Sequence, residues 1–245
     1  MTKLNYVKYY EELPIENKVI FIEAQNARNI FGNMFYIMQE LNNNEEYQEY
    51  KIYASINRKK YSSSKKFLEK QGLNKINLIK EKSTEYYKLL ASAKFLITDT
   101  SFNPCYIKKE GQVILNTWHG TPLKTLGRKV NNDLHDLGNI QKNFIIADYL
   151  LYPNEYTMNH MIEDYMIQNL SNAKIMLAGY PRNSVFFDEK LKSKIREEKN
   201  LKNKEIFVYM PTWRGAVNNI ETKEQKEQLQ NYLEKIDKEL KENQE

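Results

Sequence analysis

Cysteine is almost absent: Cys105 is the single one, so no disulfide can form within the chain. Only three histidines accompany it, which argues against a closed structural zinc site. Glycine (8) and proline (6) are scarce in 245 residues, which excludes collagen-like and low-complexity classes. No apolar run approaches the roughly 18 residues that cross a bilayer, and Met1–Tyr10 lacks the apolar core of a signal peptide. A cytoplasmic protein, soluble or peripheral to a membrane, is the expectation. What is abundant is aromatic: 18 Tyr and 10 Phe are too many for a disordered chain.

The net charge of +5 is unevenly spread. Glu221–Glu245 holds five lysines against eight acids, so the preceding body carries about +8. Such a body suits anionic partners such as phosphorylated substrates, anionic lipid heads or nucleic acid, although a solvated lysine-rich surface accounts for it equally well.

Short β-branched runs alternate with longer amphipathic ones. Val19–Ile22, Lys51–Ser55, Ile76–Ile79, Phe95–Thr98, Val113–Asn116, Tyr149–Tyr152, Lys174–Leu177 and Ile206–Tyr209 read as strands. Ile30–Leu41, Ser63–Gln71, Thr84–Ala93 and Glu155–Gln168 read as helices, the last capped by Asn154. Apolar strands separated by helices predict an α/β fold, a doubly wound and mostly parallel sheet covered on both faces. Residues 1–188 read as a first domain and the charged stretch 189–204 as a helix or linker that closes it. Residues 205–245 would then be one strand and one helix of a second, incomplete Rossmann-like domain.

Gly111–Lys124 is the most informative segment. A buried strand ends at Asn116, a tight turn follows at His119-Gly120, and Thr121-Pro122 has the signature of a helix start. His119 would sit at the carboxyl edge of a parallel sheet, where such sheets bind ligands, and next to a helix N-terminus. A neutral imidazole there is suited to take a proton from a hydroxyl. Lys124 and Arg128, on the first turns, would hold phosphate oxygens. Position alone leaves a second reading, a structural histidine in a loop.

Asn116-Thr117-Trp118-His119-Gly120-Thr121-Pro122-Leu123-Lys124 with Leu126-Gly127 resembles the hallmark of the CDP-glycerol glycerophosphotransferases, the bacterial enzymes of teichoic acid synthesis. Thr98-Asp99 before Lys108–Gln112, Gly179–Asn183 and Tyr209–Arg214 resemble the same family in the same order. The resemblance implies a GT-B-like region of two domains facing across a cleft, with residues 1–188 on the acceptor side. His119 would be the general base, and Asn116, Gly120, Thr121, Lys124, Arg128, Arg182 and Arg214 would bind substrate. The implied partners are a CDP-glycerol or similar CDP-polyol donor and a lipid-linked polyol-phosphate acceptor, reached at the inner face of the cell membrane. No metal, cofactor or nucleic acid is implied. The family's nucleotide-holding domain would follow Arg214, so the chain alone is expected to be inactive.

Rival readings are a non-catalytic remnant and a nucleic-acid-binding module; the latter lacks a stacking platform or recognition helix. Arg182 and Arg214 would serve either the cleft or structural pairing. His160 is expected on a helix surface and His135 in a solvated loop, with Cys105, Trp118 and Trp213 as packing residues. Arg58-Lys59-Lys60 with Lys65-Lys66 is a basic run, read as a solvated helix start or a contact for anionic lipid.

Overall fold

The computed structural model describes residues 3–130, 134–210 and 223–239. By contacts the chain divides into two units, Met1–Ser184 and Val185–Glu245. Among the described residues the first contains seven strands: β1 (Glu16–Glu23), β2 (Lys51–Ile56), β3 (Ile76–Lys80), β4 (Ala93–Thr98), β5 (Val113–Asn116), β6 (Tyr149–Tyr152) and β7 (Lys174–Leu177). All pair in parallel, in the order β3-β2-β1-β4-β5-β6-β7. Six helices connect them or lead in: α1 (Lys3–Glu12), α2 (Asn33–Asn43), α3 (Tyr61–Lys70), α4 (Thr84–Ser92), α5 (Leu134–Ile145) and α6 (Glu155–Asp164).

Alternation along β1 explains why both faces are covered. Ile20 and Ile22 pack with Met34 and Met38 of α2 and Leu68 of α3. Val19 and Phe21, on the opposite face, pack with Leu90 of α4 and Tyr6 of α1, in a cluster that reaches Phe144 of α5 and Met161 of α6. Each such side chain contributes about 1.5–3 kcal/mol on burial. The α/β parallel-sheet expectation is met. Asn154 caps α6 as expected, its side-chain oxygen accepting from the Thr157 N–H at 2.8 Å.

The second unit contains α7 (Glu189–Glu198) and, among the described residues, α8 (Lys223–Glu239). The strand expected at Ile206–Tyr209 is not formed; residues 206–210 have no regular structure and are exposed. An isolated strand leaves its N–H and C=O groups unpaired, so β-propensity alone does not produce one.

Two registered rows cross all seven strands, and the one nearer their carboxyl ends runs Ile79, Ser55, Glu23, Thr98, Asn116, Leu150, Ile175. Within it Glu23 is 3% exposed and accepts from the Ser55 hydroxyl at 2.8 Å. Burial pushes its carboxyl up to about 7, despite the hydrogen bonds from Ser55 and Tyr86. The native state therefore keeps a proton that the unfolded chain releases near pH 4.5. This group's effect on stability becomes less favourable as pH rises from about 4.5 to about 7, and is level above that. Glu23→Gln cannot ionise, so urea unfolding across that range should show the variant gaining on wild type by on the order of 3 kcal/mol. Parallel stability curves would refute this assignment.

Candidate active site

The strand order reverses between β1 and β4, and the segments leaving β1, β4 and β5 meet at the carboxyl edge of that crevice. After β1 the chain makes one turn in which Gln25, Asn26 and Ala27 all have positive φ (45°, 54° and 59°). Left-handed backbone costs L-residues about 1–2 kcal/mol each, so three in succession must be held from outside. The Gln25 N–H donates to Asp99 Oδ1 at 2.7 Å and the Asn26 N–H to Thr100 Oγ1 at 3.2 Å. The Thr100 hydroxyl donates to Asn26 Oδ1 at 2.8 Å, and the Asn57 N–H to the Ala27 carbonyl at 2.7 Å.

Beyond β5 the Thr117 N–H still donates to the Thr98 carbonyl, and Trp118, at φ 51°, then turns the chain. Asn116 braces this turn with both ends of its amide: Oδ1 accepts from the Trp118 N–H and Nδ2 donates to the Thr100 carbonyl. The Trp118 ring packs edge-on against Phe144 and Tyr165 and lies 4.1 Å from the imidazole of His119, centroid to centroid. His119 Nδ1 is 2.9 Å from the main-chain oxygen of Asp99. A carbonyl can only accept, so Nδ1 carries a proton and, in the neutral imidazole, Nε2 keeps the lone pair. Two further residues hold the same loop. Asn33 Nδ2 donates to Thr117 Oγ1 and to the Trp118 carbonyl, and Arg182 Nη1 donates to the His119 carbonyl at 2.7 Å. The Arg182 guanidinium also lies over the Tyr180 ring, 4.9 Å from its centroid. Burial raises the pKa of the Asp99 carboxyl, opposed by the Gln25 N–H and by His119 and Arg182.

These loops open onto a cavity of about 1000 Å³ lined by Gln25, Arg28, Thr100, His119, Asn139 and Lys142 among others, with no acidic side chain among the described residues of its wall. Lys142 donates to the carbonyls of Pro104 and Tyr106, and burial lowers its pKa. A basic nitrogen, amides, a hydroxyl and two cations in one recess suit an anion that also bears a hydroxyl group.

Several expectations need correction. No helix starts at Thr121-Pro122: residues 121–126 are irregular, and one 3-10 turn follows at Gly127–Lys129. The cap signature is there, but Leu123 is 86% exposed and no apolar stripe follows to hold a helix down. His119 therefore owes its setting to neighbouring loops and not to a helix dipole. Arg128 is turned to α6, pairing with Glu163 at 3.1 Å, while Lys129 bridges Glu163 and Asp164. Thr121 and Lys124 are exposed and, like Arg128, do not line the cavity. Asn116 is consumed by the turn. Gly120 and Arg182 do meet beside His119, a Cβ on Gly120 falling 3.8 Å from Arg182 Nη2. Arg214 and Trp213 lie outside the described residues. His160 is on α6 against Tyr156, and His135 falls in α5 where a loop was expected. The turn at Gln25–Ala27 and the contributions of Arg28, Asn33, Asn139 and Lys142 were not anticipated.

Gly127, at φ 56°, is required by both conformation and space: a Cβ there would collide with the main-chain carbonyl of Asp164. Gly127→Ala should destabilise the fold by about 2–4 kcal/mol, through backbone strain and overpacking together. Thermal unfolding reads this directly, and an unchanged melting temperature would show that the Leu126–Val130 loop relocates at no cost.

A parallel α/β sheet with a histidine oriented at its carboxyl edge, above a cationic recess, defines a class of site suited to proton abstraction beside an anion. The comparisons with known proteins specify the family. The model described as CDP-Glycerol:Poly(glycerophosphate) glycerophosphotransferase matches residues 5–244, and the chain belongs to that family. It is 29% identical over 215 residues to the teichoic acid poly(glycerol phosphate) polymerase of Bacillus subtilis (strain 168), covering 82% of this chain and 27% of that protein. The teichoic acid glycerol-phosphate transferase of Staphylococcus aureus (strain NCTC 8325 / PS 47) is 29% identical over 145 residues, covering 54% and 36%. Among solved structures, a histidine variant of the wall teichoic acid polymerase TagF matches with a TM-score of 0.68 at 22% identity, over 94% of this chain and 58% of that one. A TagF variant soaked with CDPG matches with a TM-score of 0.65 at 23% identity, over 86% and 54%. The chain thus spans between about a quarter and three-fifths of these relatives.

Proposed function

We propose that this chain provides the acceptor-activating side of a glycerophosphate transfer centre in teichoic acid synthesis. The observation that carries the reading is the hydrogen bond between His119 Nδ1 and the Asp99 carbonyl, which leaves Nε2 as a base at the edge of a cationic recess. The acceptor's terminal hydroxyl gives its proton to Nε2 as its oxygen attacks the β-phosphorus of CDP-glycerol. The new P–O bond replaces the bond to CMP, which leaves with the electron pair. Arg28 and Lys142 favour the acceptor's own phosphate in the recess, and Arg182 keeps the His119 loop in place through its carbonyl.

In this reading residues 1–188 are the acceptor side of a GT-B-like arrangement, 189–204 the connection, and 205–245 the start of the nucleotide-binding side, with Arg214 near the donor. The acceptor is lipid-linked, so the protein works against the inner face of the cell membrane. No helix among the described residues is long and apolar enough to cross it.

In whichever form of the protein releases CMP from CDP-glycerol, His119→Ala should slow that release by about 10²–10⁴-fold, the usual contribution of a positioned general base. Circular dichroism should not change, because the residue lies in a loop. Near-normal turnover by the variant would place the base elsewhere and reduce the Trp118-His119-Gly120 turn to a structural element.

A further inference from the structure

The carboxyl edge holds more positive charge than one phosphate requires, and its distribution follows the strand order. Beyond the registered row that holds Glu23, β3 leads into Lys80 and Lys82, β2 into Arg58 and Lys60, and β1 into Arg28, while β5 leads to His119. The connecting loops are tied to one another. Lys60 Nζ donates to the Arg28 carbonyl at 2.9 Å, the Asn57 N–H to the Ala27 carbonyl, and the Glu81 N–H to the Ile56 carbonyl. At the far end Arg58, Lys80 and Lys82 line a second groove of about 700 Å³, with Tyr61 and Tyr87 in its wall.

Two features mark this line as a binding surface. Among the described residues, none of Arg28, Arg58, Lys60, Lys80 and Lys82 forms an ion pair with a carboxylate, whereas Arg128, Lys129 and Lys108 all do. The acids in the same loops are outnumbered: Glu81 accepts from Asn57 Nδ2, and Glu85 stands at the groove's rim. Like charges gathered without compensation repel one another and persist where they meet an anion.

We propose that this line is a track for the phosphates of an extended polyol-phosphate acceptor, whose growing end lies at His119. The inference rests on the proposed transfer function and adds to it the surface of this chain on which the acceptor's further repeats are held. From β5 to β3 is four strand spacings, roughly 20 Å. A single polyol phosphate does not reach that far; a chain of them does. Arg28 lines the recess at His119 and Arg58, Lys80 and Lys82 line the second groove, with Lys60 tied to the Arg28 loop between them, and concave sites fit a chain better than the plane of a membrane. The basic run at Arg58-Lys59-Lys60 thereby acquires a role that a solvated helix start does not give it.

The test is calorimetric titration of the 245-residue chain with a glycerol phosphate dimer and with an oligomer long enough to reach Lys82. The probe at the track is Arg58→Gln/Lys82→Asn. Both side chains are exposed, and Asn tolerates the φ of 55° at position 82. The oligomer should bind more tightly than the dimer and lose affinity more steeply with salt. The double variant should weaken oligomer binding by about tenfold at low ionic strength, as expected for two exposed charge contacts, and leave dimer binding unchanged. Equal oligomer affinity in variant and wild type, or equal losses for oligomer and dimer, would overturn the track while leaving the transfer function standing. Absence of binding by both oligomers would overturn both proposals. Loss of binding to phosphatidylglycerol vesicles with oligomer affinity unchanged would overturn the track in favour of a membrane contact.

Discussion

The register of β4 against β5 is the constraint from which the site follows. With Thr98 opposite Asn116, the residues just past each strand end are neighbours, and the main-chain oxygen of Asp99 falls within hydrogen-bonding distance of the His119 ring. A shift of one residue would turn Asn116 away from the Thr100 carbonyl and remove the partner that sets the imidazole tautomer. The aromatic packing of Trp118 against Phe144 and Tyr165 anchors the same turn to the core. Core and candidate site are thus joined through one residue adjacent to the histidine.

Around this constraint the crevice concentrates unfavourable local terms. Three successive left-handed residues follow β1, Trp118 is a fourth in the neighbouring loop, and two carboxyls, Glu23 and Asp99, are almost fully buried. Each is compensated individually: the turn by Asp99, Thr100 and Asn57, Glu23 by Ser55. Strain held by surrounding structure is the expected condition of a preorganised site, where groups must stay in place as charge moves. The hydrogen bonds that relieve the strain are also those that join the strand-end loops into one rigid edge.

How far the sequence revealed this depends on the physical origin of each element. β5 and β6 end where the apolar runs end, because a buried strand needs a continuous run and little else, and β7 ends there too although it is the largely exposed edge strand. Asn154 was a readable cap because its effect is local. The helix expected after Thr121 and the strand expected at Ile206–Tyr209 each had a local signal, but among the described residues the first has no apolar stripe to hold it down and the second no neighbouring strand to pair with. α5 was missed although Leu137, Ile140 and Phe144 recur at helical spacing; Gly138 in its middle lowers helix propensity, and Asn139 and Lys142 beside it line the recess. His119 was legible from the turn that displays it. The group that orients it is a backbone carbonyl, which any residue at position 99 would supply, so the sequence holds no signal for it. Arg28 and Lys142 were invisible as site residues because the fold, not their spacing, brings them together.

The central claim is that His119 is held with its proton on Nδ1 and its lone pair on Nε2. Long-range ¹H–¹⁵N correlation spectra of histidine-labelled protein distinguish the two tautomers by the couplings of each ring nitrogen. Only three histidines are present, so comparison with His119→Gln assigns the signal. The account predicts that near neutral pH the neutral form of His119 shows a protonated Nδ1 and an unprotonated Nε2, and that a glycerol phosphate dimer shifts the Nε2 resonance most. A protonated Nε2 in the neutral form would contradict it, because no lone pair would then be directed at the acceptor hydroxyl.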